Sequence, residues 1–377
     1  MNVFTKIAKI VIRFVLRVLY VLPLQKNRIV FESFSGTQIS CNPYYIYKKL
    51  CTCGKCLDLI WVTTSVNVPQ GIKTVKKNSL QYLCTLLTAK VYVTNNGPAI
   101  YIPFRKSQIV INTWHGGGAY KKCQISDRLG YIRAKITASM TTYLLSSSEA
   151  FTQYFASSIL IPESKCINTG MPRNDVFFNQ RESTLCSEKV NATLNIPIGA
   201  FVILYAPTFR GNEHPAFDFI LDVSMLVEAI KNRFGQKEIM ILFRCHYFLS
   251  QDYTSSSSDS HVVNVSNYPN MQELLCRADV LISDYSSSIW DFSFTYRPCF
   301  LFTPDLEEYQ VQRNFYISIN EWGFPIARTN AELKRLIENF DEANYKQAMN
   351  RHHQMLGSYE SGNASEQTVQ LILETIE

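Results

Sequence analysis

The chain has 377 residues, which favours two domains of ordinary size over one. Hydrophobic residues make up 46% of it and aromatic residues 13%, so an intrinsically disordered protein is excluded. The net charge of +6 suits an anionic membrane surface, an anionic polymer or a phosphate-rich ligand. Because no zinc-finger, aromatic-strand or basic-helix pattern accompanies that charge, we do not expect nucleic acid as a partner.

The eleven cysteines are scattered, and their odd number and spacing indicate no disulfide framework. A reducing cytoplasmic location is therefore expected. Cys51, Cys53 and Cys56 form one cluster, but no fourth ligand lies close by in the sequence. The cluster is therefore interpreted as a loop at the end of a helix, not as a zinc site.

Residues 1–26 predict an amphipathic helix. Lys6, Lys9, Arg13 and Arg17 follow one another at steps of three and four, which places them on one stripe of a helix among apolar residues. This pattern favours a helix lying in the plane of an anionic membrane, with its cations at the lipid headgroups. A helix packed on the protein and a membrane-spanning segment are the alternatives.

Short apolar strands then alternate with helices. Strands are predicted at residues 28–34, 57–63, 91–94, 109–113 and 143–146, with helices at residues 44–50 and 80–88. The polar stretch 179–189 has the composition of a linker between domains. The next strands are predicted at residues 201–205, 239–244, 262–265, 280–283 and 299–302, with helices at residues 221–233, 286–295, 331–340, 344–355 and 365–376. Residues 255–258 form a low-complexity loop.

This alternation predicts an α/β fold with two doubly wound, Rossmann-like domains facing one another. We expect an acceptor-side domain at residues 27–180, a nucleotide-donor domain at residues 181–345 and C-terminal helices at residues 346–377. Ligands of such sheets bind beyond the carboxyl ends of the strands. The polar motifs of the sequence follow predicted strands and are the candidate site.

The first motif contains Trp114, His115, Gly116 and Gly117 at the end of a buried strand. Histidine titrates in a range suited to proton transfer, and glycines leave backbone N–H groups open to anions. A lone histidine here would more often be structural. Together with the neighbouring tryptophan, glycines and lysines, His115 is a candidate general base.

Two further motifs place cations after strands. Thr208 and Arg210 follow the strand that ends near Tyr205, and Arg244 and His246 end the next one. Guanidinium groups bind phosphate in bidentate fashion, so these residues are candidates for binding a diphosphate. A solvated strand end is the simpler alternative for each arginine taken alone.

The fourth motif is Asp284 followed by Ser286, Ser287 and Ser288, where a buried strand runs into a predicted helix. Serine hydroxyls beside the N–H groups of a helix start are typical of a phosphate site. Plain helix capping is the alternative, but a cap needs only one such residue.

Together these residues resemble the CDP-glycerol glycerophosphotransferase family, the primases and polymerases of teichoic acid. The first two matching segments are residues 105–108, followed by Trp-His-Gly at 114–116, and Tyr-Ala-Pro-Thr at 205–208. The others are residues 283–287 with Asp291, residues 297–298, residues 305–309, residues 313–316 beginning at Arg313, and residues 362–365. The resemblance implies two facing Rossmann domains of the GT-B type, a monotopic membrane enzyme, and a CDP-alcohol bound by the C-terminal domain. The chain departs from the family at residues 117–120, where Thr-Pro-Leu is usual, and at Tyr247, where proline is usual.

The resemblance implies transfer of glycerol phosphate, or a similar polyol phosphate, from a CDP-alcohol to a lipid-linked or polymer acceptor. In this hypothesis His115 takes the acceptor proton, while Arg210, Arg244, His246 and Ser286–Ser288 hold the pyrophosphate. We expect no cofactor, although a divalent metal could add to the protein's own cations. A glycosyltransferase or sugar-nucleotide epimerase of the same fold and a non-catalytic membrane-bound binding protein are the alternatives.

Overall fold

The computed structural model describes residues 11–65, 68–123, 125, 127–208, 221–235, 238–244 and 261–377. The chain divides into two compact units, each with its own parallel β-sheet. The first unit comprises Met1–Gly116, Cys123–Asp175 and Ser358–Glu377, and the second comprises Gly117–Lys122 and Val176–Gly357. The polypeptide therefore passes from one unit to the other four times, and the short segment 117–122 belongs to the second unit although both its neighbours belong to the first.

The first sheet has seven parallel strands in the order β3-β2-β1-β4-β5-β6-β7. Its strands are β1 Gln25–Glu32, β2 Asp58–Thr63, β3 Thr74–Lys76, β4 Ala89–Thr94, β5 Ile109–Asn112, β6 Tyr143–Leu145 and β7 Cys166–Ile167. The strand order reverses between β1 and β4, which pair in register from Ile29↔Val91 to Glu32↔Thr94. This reversal is the point at which open α/β sheets bind their ligands.

The second sheet has six parallel strands in the order β10-β9-β8-β11-β12-β13. Its strands are β8 Phe201–Ala206, β9 Ile239–Phe243, β10 Val262–Asn264, β11 Val280–Ser283, β12 Cys299–Phe302 and β13 Ile326–Ala327. All but one of the residues of β8, β9, β11 and β12 are buried, as expected for a sheet covered on both faces. Here the order reverses between β8 and β11.

Eleven α-helices with fully described bounds accompany the strands. They are α1 Cys41–Cys51, α2 Leu80–Thr88, α3 Arg128–Met140, α4 Gln180–Leu194, α5 Val223–Phe234, α6 Met271–Arg277, α7 Ser288–Ser293, α8 Leu306–Gln312, α9 Asn330–Glu338, α10 Glu342–Met355 and α11 Ala364–Ile376. Cys51 is the last residue of α1, so the cysteine cluster lies at a helix end, as predicted.

Alternate residues of the first sheet pack on opposite faces. Phe31 and Trp61 join a core with Ile46 of α1 and Ile372 of α11. On the other face, a second core contains Val30, Val62, Tyr82 and Leu86. The period-two alternation of the strand thus places one apolar layer beneath each covering helix.

The predicted linker at residues 179–189 is wrong, because this stretch forms the first part of helix α4. Asn179 begins the helix, and its side chain accepts a hydrogen bond from the backbone N–H of Glu182 at 3.2 Å. Val190 is fully buried, and Lys189 pairs with Glu273 of α6 at 2.8 Å. A polar composition therefore reflects one solvated helix face here, not an unfolded connection.

The C-terminal helices do not form a region of their own. Helix α10 belongs to the second unit, whereas α11 belongs to the first and packs against α1. The carboxylate of Asp175 accepts hydrogen bonds from the backbone N–H groups of Ala364 and Ser365, at 3.0 and 2.7 Å. These bonds satisfy two donors at the start of α11 and fix it on the first unit.

The N-terminal segment is helical at residues 11–15 and continues as a 3₁₀ turn at Leu16–Val21. Lys6 and Lys9 lie outside the described residues. The prediction that Arg13 faces lipid headgroups is wrong, because its guanidinium donates to the carbonyl oxygens of Ile100 and Ile102, at 3.2 and 2.5 Å. Bound in this way, Arg13 satisfies two carbonyls of the first unit.

Apolar side chains cover the exposed side of this segment. Phe14 is 60% exposed, Val18 71% and Val21 82%. Leu16 and Leu19 point the other way and pack on the core beneath α2. Within the described ranges, no helix is both long enough and apolar enough to cross a membrane.

Candidate active site

His115 lies just beyond the carboxyl end of β5, in the first unit. Its Nδ1 atom is 2.8 Å from the backbone carbonyl oxygen of Asn95, which follows β4. A carbonyl oxygen only accepts, so Nδ1 carries a proton, and in the neutral imidazole this is the only ring N–H proton. Nε2 is then the atom with the lone pair, which is the form that a general base requires.

The indole of Trp114 packs against one face of the His115 ring. The two rings stack with centroids 4.3 Å apart, and the indole also contacts Phe155 at 4.5 Å. Trp114 has a φ of 51°, a left-handed conformation that residues other than glycine rarely adopt. Such a conformation persists only where the surroundings impose it, and it is frequent at functional sites.

Asn42 holds this turn in place. It was not among the site residues predicted from the sequence. Its buried amide nitrogen donates to the carbonyl oxygens of Thr113 and Trp114, at 3.1 and 3.0 Å. The backbone N–H of Trp114 donates in turn to the side chain of Asn112 at 3.0 Å. Asn42 lies far from this motif in the sequence, at the start of α1, so no local pattern could have identified it.

The glycines of the first motif lie on two different units. Gly116 ends the first portion of the first unit, and Gly117 begins the segment that belongs to the second. A Cβ atom at Gly117 would lie 2.2 Å from the indole of Trp290, which is fully buried in the second unit. Gly117 is thus required by close packing, and the predicted role of this glycine in binding anions stays a prediction.

Lys121 is one of the lysines that follow the first motif, and it was not among the predicted site residues. Its Nζ lies 3.4 Å from the hydroxyl of Thr208 and 5.8 Å from the ring centre of Tyr309. Lys121 also pairs with Phe315 in an isolated antiparallel bridge. The structure therefore adds a cation beside a predicted phosphate-binding residue.

Asp284 connects the two strands at which the order of the second sheet reverses. Its buried carboxylate accepts the backbone N–H of Thr208 at 2.8 Å and also the Thr208 hydroxyl. A further bond comes from the backbone N–H of Tyr285 at 2.6 Å. Asp284 therefore fixes Thr208 just beyond β8, and the Thr208 hydroxyl is the donor in its hydrogen bond to Asp284.

The three serines follow the same strand, β11. Helix α7 begins at Ser288 and has only six residues, so its dipole is small. The hydroxyl of Ser288 donates to that of Ser286 at 3.0 Å, and Ser286 and Ser287 are partly exposed. The hydroxyls and backbone N–H groups remain the features of this turn that suit a phosphate.

The remaining predicted residues lie in different settings. One guanidinium nitrogen of Arg244 donates to the carbonyl oxygens of Val265 and Tyr268, at 3.2 and 2.6 Å. Asp291 is buried in α7 and accepts from Gln272 at 3.0 Å, whereas Arg313 is exposed at the end of α8. Arg210 and His246 lie outside the described residues. Across the ranges given above, no group of three histidine, cysteine or acidic residues could hold a metal ion.

The fold and these two sites define a two-domain α/β protein with polar residues at the switch point of each parallel sheet. The predicted fold class is confirmed. The chain belongs to the CDP-glycerol:poly(glycerophosphate) glycerophosphotransferase family, whose model matches residues 14–374. This confirms the resemblance that the sequence motifs carry.

Relatives and solved structures agree with this membership. The chain is 30% identical to a teichoic acid poly(glycerol phosphate) polymerase of Bacillus spizizenii, covering 95% of each chain. It is also 28% identical to a polymerase of the same name from Staphylococcus epidermidis. That match covers 93% of this chain but 51% of the relative, so the chain spans about half the length of that protein. A solved wall teichoic acid polymerase, TagF, superposes with a TM-score of 0.84 at 28% identity, covering 99% of this chain and 97% of the other.

Proposed function

We propose that the protein transfers glycerol phosphate, or a similar polyol phosphate, from a CDP-alcohol to a membrane-linked acceptor during synthesis of teichoic acid or a capsule-like polymer. Family membership supports the donor and the type of reaction. The observation that carries the proposal is the bond between Nδ1 of His115 and the carbonyl of Asn95, because it leaves a basic nitrogen at a strand end.

In the proposed reaction, Nε2 of His115 takes the proton of an acceptor hydroxyl as its oxygen attacks the phosphorus that bears the polyol. A new P–O bond forms to the acceptor, and the bond to the bridging oxygen breaks. CMP leaves with the electrons of that bond, and the product is a phosphodiester. Positioning and charge stabilisation do most of the work in such transfers.

The second unit is proposed to hold the donor diphosphate. Ser286, Ser287 and Thr208 lie just beyond the strand ends joined by Asp284, and Nζ of Lys121 is 3.4 Å from the Thr208 hydroxyl. Arg244 supplies a second cation, and Arg210 and His246 complete the proposed set. These groups would neutralise the charge that accumulates on the departing CMP.

Attachment to the cytoplasmic face of the membrane is proposed as well. The exposed apolar side chains of residues 11–21 support it, since such a surface is unfavourable in water and suits the acyl boundary of a bilayer. Arg17 is exposed and would contact anionic headgroups. An acceptor carried by a lipid would meet the enzyme at that surface.

The test is to incubate the purified protein and a lipid-linked acceptor with CDP-glycerol, CDP-ribitol or a UDP-sugar and to measure nucleotide release. CMP release that depends on both CDP-glycerol and acceptor supports the proposal. UDP release with inert CDP-alcohols would make the protein a glycosyltransferase or epimerase. Binding of CDP-glycerol without release, at every acceptor tested, would make it a non-catalytic binding protein.

A further inference from the structure

A cavity of about 810 Å³ lies within the first unit, and none of the motifs above was assigned to it. Its wall includes Glu32 at the end of β1, Asn96 just after β4, and Asn112 at the end of β5. Strands β1 and β4 flank the reversal of strand order, where Rossmann-like sheets bind ligands, and β5 is the next neighbour of β4. The volume falls in the usual range of small-molecule sites.

The charges of the cavity wall nearly cancel. Lys77 lies 2.6 Å from a carboxylate oxygen of Glu32 and 2.7 Å from the carbonyl oxygen of Ser35, so this pair contributes no net charge. Arg133 of α3 is exposed at the wall and makes no hydrogen bond or ion pair with any described residue. Among its described residues, the wall therefore offers one cation that has no carboxylate partner.

Amide side chains provide the other polar groups. Asn78 accepts from Tyr101, and Asn112 accepts from the backbone of Trp114, but the amide nitrogen of neither donates a hydrogen bond to another described residue. The side-chain amide of Asn96 makes only a long contact of 3.4 Å, with Ser35, among the described residues. Uncharged donors and acceptors of this kind match hydroxyl groups and not a highly charged ligand.

The cavity adjoins the candidate base. Trp114 forms part of its wall, and the same indole stacks on the ring of His115. The carbonyl that fixes His115 belongs to Asn95, the neighbour of Asn96. A hydroxyl-bearing ligand in the cavity would thus contact the residues next to the group that must take a hydroxyl proton.

We propose that this cavity binds the polyol-phosphate end of the acceptor, with hydroxyl groups on Asn78, Asn96 and Asn112 and one phosphodiester on Arg133. This inference rests on the proposed function, which requires an acceptor hydroxyl at His115. Ile100 and the aromatic ring of Tyr101 complete the wall and would contact the carbon chain of the polyol. Arg133, the one cation without a counter-ion among the described residues of the wall, favours a ligand end with one negative charge.

The binding experiment mixes the full-length protein with a soluble phosphodiester in which one phosphate links two glycerols. Saturation-transfer NMR then measures binding of this diester. Glycerol alone and inorganic phosphate are the comparison probes. We expect saturable binding of the diester and weaker binding of both fragments. Arg133→Gln should lower diester affinity about tenfold, the effect of losing one charged hydrogen bond. Lys135→Gln is the matched control, because Lys135 is an exposed cation of the same helix that does not line the cavity.

The kinetic arm compares the same variants with CDP-glycerol and a short glycerol-phosphate acceptor. Arg133→Gln should raise the acceptor KM about tenfold and leave the donor KM unchanged. A raised donor KM, or equal diester binding by wild type and Arg133→Gln, would overturn the inference. If wild type releases no CMP with any acceptor while Arg133→Gln still loses diester binding, the proposed function fails and the polyol-phosphate site stands.

Discussion

The hydroxyl of Tyr120 lies 2.7 Å from Nε2 of His352, inside the second unit. Tyr120 also packs against Trp322, with ring centres 4.4 Å apart, and its backbone carbonyl accepts from Tyr316 at 3.0 Å. The departure from the family pattern at residues 117–120 therefore includes a buried tyrosine held in the second unit. Burial lowers the pKa of His352 to about 3 and that of its neighbour His353 to about 4.

The lowered pKa values of these two histidines predict that the folded protein loses stability in acid. Because their folded pKa values lie below the unfolded value of about 6.5, the unfolded chain binds more protons between pH 6.5 and 4. The free energy of unfolding therefore has its full value above pH 6.5 and decreases as the pH falls below it. Lowering the pH from 7 to 5 should cost about 2 kcal/mol for each histidine. Urea unfolding at both pH values measures this loss.

The control for this prediction is His352→Gln, which keeps a hydrogen-bonding group near Tyr120 and removes one titration. Its loss of stability from pH 7 to 5 should be smaller than that of wild type by about 2 kcal/mol. An equal loss in both proteins would show that His352 is not the neutral buried group described here.

His115→Ala should lower kcat by about 10²- to 10⁴-fold, the usual effect of removing a general base. The Kd of CDP-glycerol should not change, because the partner of His115 is the acceptor. Trp114→Phe keeps an aromatic ring beside the imidazole and should reduce kcat less. Single-turnover kinetics and calorimetric titration with donor provide the measurements. A variant with weakened donor binding and normal kcat would contradict the assigned role.

Asp284→Asn should weaken donor binding about tenfold. The amide has one accepting oxygen in place of two, so it cannot keep all the bonds to Thr208 and Tyr285. Thr208→Ser retains the hydroxyl and is the conservative control. Titration with CDP-glycerol, together with thermal unfolding, separates a local change from a general loss of stability. Unchanged donor affinity in folded Asp284→Asn would remove Asp284 from the donor site.

The triple change Phe14→Ser, Val18→Ser and Val21→Ser should reduce sedimentation with vesicles containing phosphatidylglycerol at least tenfold. Full burial of one such side chain in the bilayer would stabilise the bound state by roughly 1.5–3 kcal/mol. Partial burial of three is therefore enough for a tenfold effect on vesicle binding. Ile198→Ser, at a fully exposed position of the second unit, is the control. Equal sedimentation of the triple variant and wild type would contradict attachment through this surface.

The two arginines of the same segment should behave differently. Arg17→Gln should weaken vesicle binding by about 1 kcal/mol, because an exposed cation attracts anionic headgroups. Arg13→Gln should instead lower stability, since it removes bonds to Ile100 and Ile102. Vesicle sedimentation and thermal unfolding of both variants test this division. A matching loss of vesicle binding in Arg13→Gln would show that its guanidinium reaches the membrane.

Chelation of divalent metals should leave transfer nearly unchanged. Lys121, Arg244 and the turn of Ser286 and Ser287 are proposed to stabilise the leaving group in place of a metal. Initial rates with and without EDTA, after dialysis, should agree within about twofold. A rate restored by Mg²⁺ alone would assign part of that role to a metal.

The strands were predictable because a buried parallel strand is a continuous apolar run, as at Val280–Ser283 and Cys299–Phe302. The polar helix α4 was not, since its buried side reduces to Val190 among solvated residues. Within the candidate site, His115 and Asp284 were predicted from their place after strands. The roles of Asn42, Asn95 and His352 depend on contacts between residues distant in sequence, which no local pattern contains.

The interleaved division of the chain constrains how related enzymes can be recombined. A chimaera joined at residue 175 would carry residues 117–122 of one parent into the second unit of the other. Tyr120 would then meet a foreign residue in place of His352, and Gly117 a foreign residue in place of Trp290. A cassette exchange that moves residues 117–122 together with 176–357, and leaves 358–377 behind, preserves both packing pairs. Functional hybrids should therefore require all four junctions together.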